Sequence, residues 1–203
     1  ILPQLLAALD HVHALDFVHR DLKSANVRVT PEGVVKLMDF GLMEYAGRHT
    51  GMRGTPAYLA PEMIKREPID QRADLYALGC LAYEMLAGRP PFIPGTGGMV
   101  EVLRAHAATR PEPISRWRRG MDDRALEAVI QKLLAKEPTE RYQSSNDVLR
   151  DLGHEVPNEF GGKLLTAPFV GQDAARARLK AALEASRGYG EGRALWISGP
   201  AGS

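Results

Sequence analysis

Apolar side chains recur along the first fifteen residues at the spacing of one helical face. This period predicts an amphipathic helix over residues 1–15. Two short apolar runs follow at residues 27–29 and 34–37, with the turn-forming sequence T-P-E-G between them. They predict two short strands joined by a turn. The apolar positions of the first helix are Leu2, Leu5, Leu6, Leu9, Val12 and Leu15.

The middle of the chain combines an aperiodic stretch with the most apolar helix. Residues 41–68 keep no period and are rich in glycine and proline, which predicts a long structured loop of the kind that carries function. Residues 72–87 are apolar almost all round, so they predict a helix in the middle of a domain that ends at Gly88. Cys80 lies in this run and is expected to be a buried, unreactive thiol.

Three more helices are predicted downstream. Residues 100–106 favour a short helix. The next helix is expected to begin at a cap formed by Asp122 or Asp123, and the last at a cap formed by Ser144 or Ser145. The apolar face of the middle one consists of Leu126, Val129, Ile130, Leu133 and Leu134.

The residues beyond this unit follow a different pattern. Residues 153–167 contain glycine and proline with weak periodicity, which is typical of a linker. A helix over residues 172–187, a glycine-rich turn and the apolar run A-L-W-I-S predict the beginning of an α/β domain. The chain is therefore divided into a first domain at residues 1–152, a linker at 153–167 and the start of a second domain at 168–203.

Composition and charge narrow the classes of function. Apolar residues make up 44% and charged residues 25%, as in globular proteins. A net charge of +1 gives no reason to expect binding to nucleic acid or to a membrane surface. The single cysteine excludes an internal disulfide, and the longest apolar run, residues 75–83, is shorter than the ~20 residues of a membrane helix. A cytoplasmic location is expected, with any membrane anchor of the parent protein outside this stretch.

Three short motifs occur in a fixed order around the aperiodic stretch. They are H-R-D-L-K-S-A-N at residues 19–26, D-F-G at 39–41 and A-P-E at 60–62. On these motifs the chain resembles the eukaryotic-type Ser/Thr protein kinases of bacteria. The resemblance implies a mostly α kinase large lobe (C-lobe) with a short β-element at the cleft. The small lobe would precede Ile1, so the fragment alone is expected to be inactive.

The resemblance assigns the chemistry to individual residues. Phosphoryl transfer depends on positioning and on charge neutralisation. Asp21 would accept the proton of the substrate hydroxyl, and Lys23 would contact the transferring phosphoryl group. Asn26 and Asp39 would supply oxygen ligands to Mg²⁺, which with ATP is the implied cofactor. Arg28 stands where many kinases carry an aliphatic residue beneath the adenine, and its methylene stem would take that place.

The resemblance also assigns regulation and substrate class to the activation loop. Arg20 would receive a phosphate carried by Thr50, although an unmodified, solvated threonine remains the alternative. Thr55 would hydrogen-bond toward Asp21 and Lys23, or would only shape the turn. Lys23 and the G-T-P segment around Thr55 are similar to Ser/Thr rather than tyrosine kinases.

Five further residues have structural roles by the same resemblance. His19 and Phe40 would pack into a buried stack that joins the two lobes. Asp74 would accept backbone N–H groups of the catalytic loop. Glu62 and Arg141 would form a buried ion pair, which is costly to break.

The end of the chain resembles the start of a P-loop NTPase module of the AAA or STAND type. The sequence F-V-G-Q at residues 169–172 precedes the predicted helix and strand. Gly199 would be the first glycine of G-x-x-x-x-G-K-[ST], and Gly202 and Ser203 would be the last residues before the second glycine. The alternative is an ordinary strand and turn in a linker domain.

The sequence thus predicts a protein Ser/Thr kinase in bacterial-type signalling, with protein substrates and autophosphorylation. Two alternatives remain open. One is a pseudokinase scaffold with the same fold, and the other is a sensor that regulates a C-terminal P-loop ATPase.

Overall fold

A computed structural model describes residues 1–48, 51–118 and 123–156. The chain divides into two units, Ile1–Asn158 and Glu159–Ser203, and everything described below belongs to the first. That unit is mostly helical, with two small sheets. Its helices are α1 at Leu2–His13, α2 at Pro61–Lys65, α3 at Gln71–Ala87, α4 at Gly98–Ala108, α5 at Arg124–Leu133 and α6 at Ser145–Asp151.

Helix α3 is the centre of the unit, as its apolar composition predicts. The Asp70 side chain caps it by accepting the Arg72 backbone N–H, and Gly88 ends it with a φ of 73°. Eleven of its seventeen residues are buried. The apolar core has two parts that share this helix, one formed with α1, α5 and α6 and the other with α2, α5 and the turn at Ile114–Arg116.

Helix α1 buries one face, but its predicted range is too long. Leu5, Leu6, Leu9 and Val12 are buried as the pattern predicts, whereas Leu15 is 56% exposed. The helix ends at His13, and the chain turns at Asp16, which has a φ of 58°. Because Leu15 lies beyond the last helical turn, it cannot continue the apolar face.

The strands form two antiparallel pairs. Strand β2 at Val27–Val29 pairs with β3 at Val35–Leu37, in the register Val27 to Leu37. The predicted hairpin is therefore confirmed, but its second strand is one residue shorter than predicted. Val34 belongs to the turn instead, because its carbonyl oxygen accepts the Thr30 backbone N–H at 2.9 Å. The sequence did not predict the other pair, β1 at Phe17–Val18 and β4 at Glu44–Tyr45.

The stretch predicted as one long loop contains short regular elements. Strand β4, a 3-10 turn at Pro56–Tyr58 and helix α2 all lie within residues 41–68. Downstream, Asp123 caps α5 and Ser144 caps α6. The sequence had left Asp122 or Asp123, and Ser144 or Ser145, as the possible caps. None of the described helices is long and apolar enough to cross a membrane. The second predicted domain and most of the linker lie outside the described residues.

Candidate active site

Asp74 holds the backbone of the catalytic loop, residues 19–26. Its carboxylate is fully buried and accepts the backbone N–H groups of His19 at 2.8 Å and of Arg20 at 2.9 Å. Nε2 of His13, on α1, donates a third hydrogen bond at 2.8 Å. Arg20 has a φ of 70°, a conformation that costs about 1 kcal/mol or more without glycine. The bonds to Asp74 help to hold the loop in this shape.

Asp21 lies at the centre of the polar cluster. Its Oδ2 accepts a hydrogen bond from Nζ of Lys23 at 2.7 Å, and its Oδ1 accepts the Thr55 hydroxyl at 2.8 Å and backbone N–H at 3.1 Å. Nζ of Lys23 also donates to Oγ1 of Thr55 at 3.0 Å. Burial would raise the pKa of Asp21, but the hydrogen bonds from Lys23 and Thr55 outweigh it and hold the pKa below its usual range. Asp21 is therefore a carboxylate at neutral pH.

Gly54 allows the activation loop to approach Asp21. Its φ is 120°, and a Cβ at this position would lie 2.8 Å from the carbonyl oxygen of Arg20. Only glycine adopts this conformation and leaves room for the neighbouring backbone. The next residue, Thr55, is thereby brought within reach of Asp21 and Lys23.

The β2–β3 hairpin brings the two predicted Mg²⁺ ligands to one end of the same small sheet. Asn26 directly precedes β2, and its carbonyl accepts the Met38 backbone N–H at 2.9 Å. Asp39 is the next residue along the chain. Nδ2 of Asn26 donates to the backbone carbonyl of Asp21 at 2.8 Å and to its carboxylate at 3.2 Å. The other atom of the amide, Oδ1 of Asn26, is left to bind a cation.

This donor set fits Mg²⁺. Asn26 and Asp39 provide hard oxygen ligands, and Mg²⁺ in nucleotide sites is bound by one or two such groups together with water and phosphates. Asp39 is exposed and has a φ of 61°, and its Oδ1 accepts the Gly41 backbone N–H at 3.3 Å. Among the described residues, no group of three or more His, Cys, Asp and Glu side chains is arranged to hold a metal by itself.

The predicted stacking contact between His19 and Phe40 is present, and its burial between two lobes stays a prediction. His19 is fully buried, and its Nε2 donates to the Met38 carbonyl at 3.2 Å. Phe40 contacts the His19 ring edge to face, with 5.0 Å between centroids, yet it is 45% exposed. Arg28, predicted near the adenine, lies on β2 opposite Lys36 with an exposed side chain.

Glu62 and Arg141 form a bidentate ion pair in the interior. Nη1 and Nη2 of Arg141 lie 2.7 and 2.8 Å from the two carboxylate oxygens of Glu62. The other donors of Arg141 bond to three backbone carbonyls, so all five N–H groups are used. The pair fixes α2, and with it the end of the activation loop, against the segment before α6.

Sequence reasoning missed two contacts of the catalytic loop. Arg20, predicted to receive a phosphate, donates from Nη1 to Oε2 of Glu44 at 2.8 Å. Ser24 lies 3.2 Å from the hydroxyl of Tyr58, which donates to Glu84. Burial and the Glu84 carboxylate raise the pKa of Tyr58 to about 12. No sequence period links these partners, because they are 24 to 34 residues apart.

Four predicted site residues cannot be placed. Thr50 lies between two described segments of the activation loop, and Gly199, Gly202 and Ser203 belong to the second unit. All four lie outside the described residues. Phosphorylation of Thr50 and the P-loop both stay predictions.

Comparisons of the sequence with known proteins all point to the same family. A family model described as "Protein kinase domain" matches residues 1–151. The chain is 37% identical to serine/threonine-protein kinase PknB of Mycolicibacterium smegmatis, over all of this chain and 32% of that protein. It is 36% identical to serine/threonine-protein kinase PknB of Mycobacterium tuberculosis, over 85% of this chain and 28% of that protein. The chain spans about a third or less of the length of these relatives.

Proposed function

The chain belongs to the protein kinase domain family, and from that premise we propose that the full-length protein transfers the γ-phosphate of ATP to serine or threonine hydroxyls of proteins, its own included. The observation that carries the proposal is the cluster in which Lys23 and Thr55 hold the carboxylate of Asp21. Names of relatives that carry the words serine/threonine-protein kinase support the substrate class. Residues 1–152 would supply the large lobe.

The mechanism follows from the positions of the side chains. ATP and Mg²⁺, when bound, supply the phosphoryl group and neutralise its charge. Asp21 accepts the proton of the substrate hydroxyl and, because its pKa is held low, stays ionised until that proton arrives. Lys23 would contact the phosphoryl oxygens as a point charge. Asn26 and Asp39 would hold the cation through oxygen atoms.

The decisive test is phosphoryl transfer by the full-length protein with Mg²⁺ and ATP. Asp21→Asn keeps the size of the side chain but removes its basicity, and we expect a loss of about 10²- to 10⁴-fold in kcat. Asp39→Ala should abolish the response to Mg²⁺. Glu137→Gln, on an exposed carboxylate, is the control and should keep full activity.

Two outcomes would contradict the proposal. Transfer that is undiminished in both the Asp21 and the Asp39 variants would exclude the mechanism. A wild-type protein that binds ATP without transferring phosphate would favour the pseudokinase scaffold.

The finer assignments are also proposals. We propose that residues 168–203 begin a P-loop NTPase module, which the F-V-G-Q sequence and Gly199 support. Gly-Lys-Ser/Thr directly after Ser203 would agree with it, and any other sequence would contradict it. We propose a role in bacterial-type signalling and a cytoplasmic location, supported by the single cysteine.

A further inference from the structure

The guanidinium of Arg20 already has a carboxylate partner. Its side chain is 1% exposed, and Nη1 donates to Oε2 of Glu44 at 2.8 Å. Nη2 donates to the Gly51 carbonyl at 3.2 Å. The third nitrogen, Nε, is buried and has no partner among the described residues. Arg20 therefore binds two points of the activation loop, one on each side of Thr50.

The backbone, rather than a flexible side chain, places Glu44 there. The β1–β4 register sets Glu44 opposite Val18, two residues before Arg20. Beyond β4, the Ala46 backbone N–H donates to the Asp16 carbonyl at 2.9 Å, and that of Gly47 donates to Ile69 at 2.7 Å. Three consecutive attachments thus fix the strand that carries the carboxylate.

Electrostatics explain why Arg20 needs this partner. Burial lowers the pKa of Arg20, the nearby Arg53 lowers it further, and Glu44 and Asp74 act in the opposite direction. Nη1 of Arg48 also lies 3.6 Å from Oε1 of Glu44. A phosphate placed on Arg20 would stand beside the Glu44 carboxylate, and two negative charges at such a distance repel each other.

We propose that Glu44 is the resident counter-ion of Arg20, and that it orders the activation loop without a phosphate on Thr50. The inference rests on the proposed kinase function. Glu44 does not touch the substrate; it is a positioning residue that acts through Arg20, whose backbone continues into Asp21. Phosphorylation of Thr50 is then dispensable for phosphoryl transfer.

Two double-mutant cycles in the full-length protein test this, one that combines Arg20 with Glu44 and one that combines Arg20 with Thr50. We expect Glu44→Gln to lower kcat about tenfold, with little change in the KM for ATP, because a charge-assisted bond is lost. Arg20→Gln should cost about as much, and the double variant no more than either. Glu44→Asp keeps the charge and should restore part of the rate. Thr50→Ala and the control Glu137→Gln should remain within about twofold of wild type.

The opposite pattern would overturn the proposal. In that pattern, Thr50→Ala lowers kcat, Arg20→Gln adds nothing to that loss, and Glu44→Gln has no effect. Arg20 would then bind a phosphothreonine at position 50 rather than Glu44.

Hydrogen exchange separates this inference from the kinase proposal. Glu44→Gln should speed amide exchange in residues 44–48 and 51–54, whether or not the protein transfers phosphate. A wild-type protein without activity would refute the proposed function only. Unchanged exchange in Glu44→Gln would refute the role of Glu44, even in an active kinase.

Discussion

At the scale of single residues, the Thr55 hydroxyl joins the two functional groups of the catalytic loop. It donates to Asp21 and accepts from Lys23, so it fixes the distance between a base and a cation. Thr55→Val has nearly the same shape and lacks both hydrogen bonds. We expect it to lower kcat of the full-length protein by about tenfold or more. Thr55→Ser keeps the hydroxyl and should stay near wild type, and equal activity of the two variants would mean that Thr55 only shapes the turn.

His106 predicts a pH dependence of stability. It is fully buried between Tyr76 and Phe92. Burial, together with the charge of Lys136, lowers the pKa of His106 from 6.5 to about 3. The unfolded chain therefore binds a proton below about pH 6.5, while the folded chain does not do so until about pH 3. As the pH is lowered between these limits, the free energy of unfolding should fall by up to about 1.4 kcal/mol per pH unit.

The His106→Phe variant should lose this contribution. Its free energy of unfolding in urea, measured from about pH 7 to about pH 5, should fall less steeply than that of wild type. Tyr76→Phe removes the 2.9 Å contact with Nδ1 but keeps the buried imidazole, so it should retain the slope. Identical slopes for wild type and His106→Phe would contradict the assignment.

The residue scale also shows what a motif can and cannot predict. The resemblance could point to Asp21, Asn26 and Asp39 because their motifs lie within one loop and one hairpin, close together in the sequence. The sequence did not point to Glu44 or His13, because the partner of each lies far along the chain. Arg20 is 24 residues from Glu44, and Asp74 is 61 residues from His13. In the sequence, Glu44 is indistinguishable from any solvated acid.

At the scale of elements, α3 and α5 pack closely at Gly79. A Cβ at this position would lie 2.8 Å from Cβ of Leu133 and 3.1 Å from Cγ of Leu134. We expect Gly79→Ala to lower the free energy of unfolding by about 1–2 kcal/mol, since overpacking outweighs the gain in helix propensity. Urea unfolding measures this. An increase of about 1 kcal/mol, the effect of propensity alone, would show that the helices separate at little cost.

Element length decides which parts of the fold the sequence could predict. Helices α1 and α3 contain 12 and 17 residues, enough for several periods, and both were predicted within two residues at each end. Strands β1 and β4 have two residues each and α2 has five, so none of them completes a recognisable pattern. These short elements depend on tertiary contacts, and they are the ones that position the activation loop.

At the scale of the whole molecule, the Glu62–Arg141 pair connects segments 79 residues apart. Its side chains are 3% and 0% exposed. Arg141→Met or Glu62→Gln alone should lower the free energy of unfolding by about 3–5 kcal/mol, because the remaining partner is buried and unpaired. Urea unfolding of both variants checks this, and the double variant should cost less than the sum.

An exposed pair between the same two segments provides the control. Nζ of Lys65 lies 3.4 Å from Oε1 of Glu137, and both side chains are solvated. Glu137→Gln should change the free energy of unfolding by less than about 1 kcal/mol. Similar losses for the buried and the exposed pair would mean that burial does not set the cost.

The attachment of the catalytic loop to Asp74 has a consequence for the order in which the protein is made. The loop leaves the ribosome first, and the carboxylate that binds its backbone follows 54 residues after Arg20. Until α3 has been synthesised and has docked against α1, the Asp74 bonds that help to hold Arg20 in its left-handed conformation cannot form. A nascent chain arrested before Asp74 therefore carries every residue of the catalytic loop but lacks the carboxylate that binds its backbone.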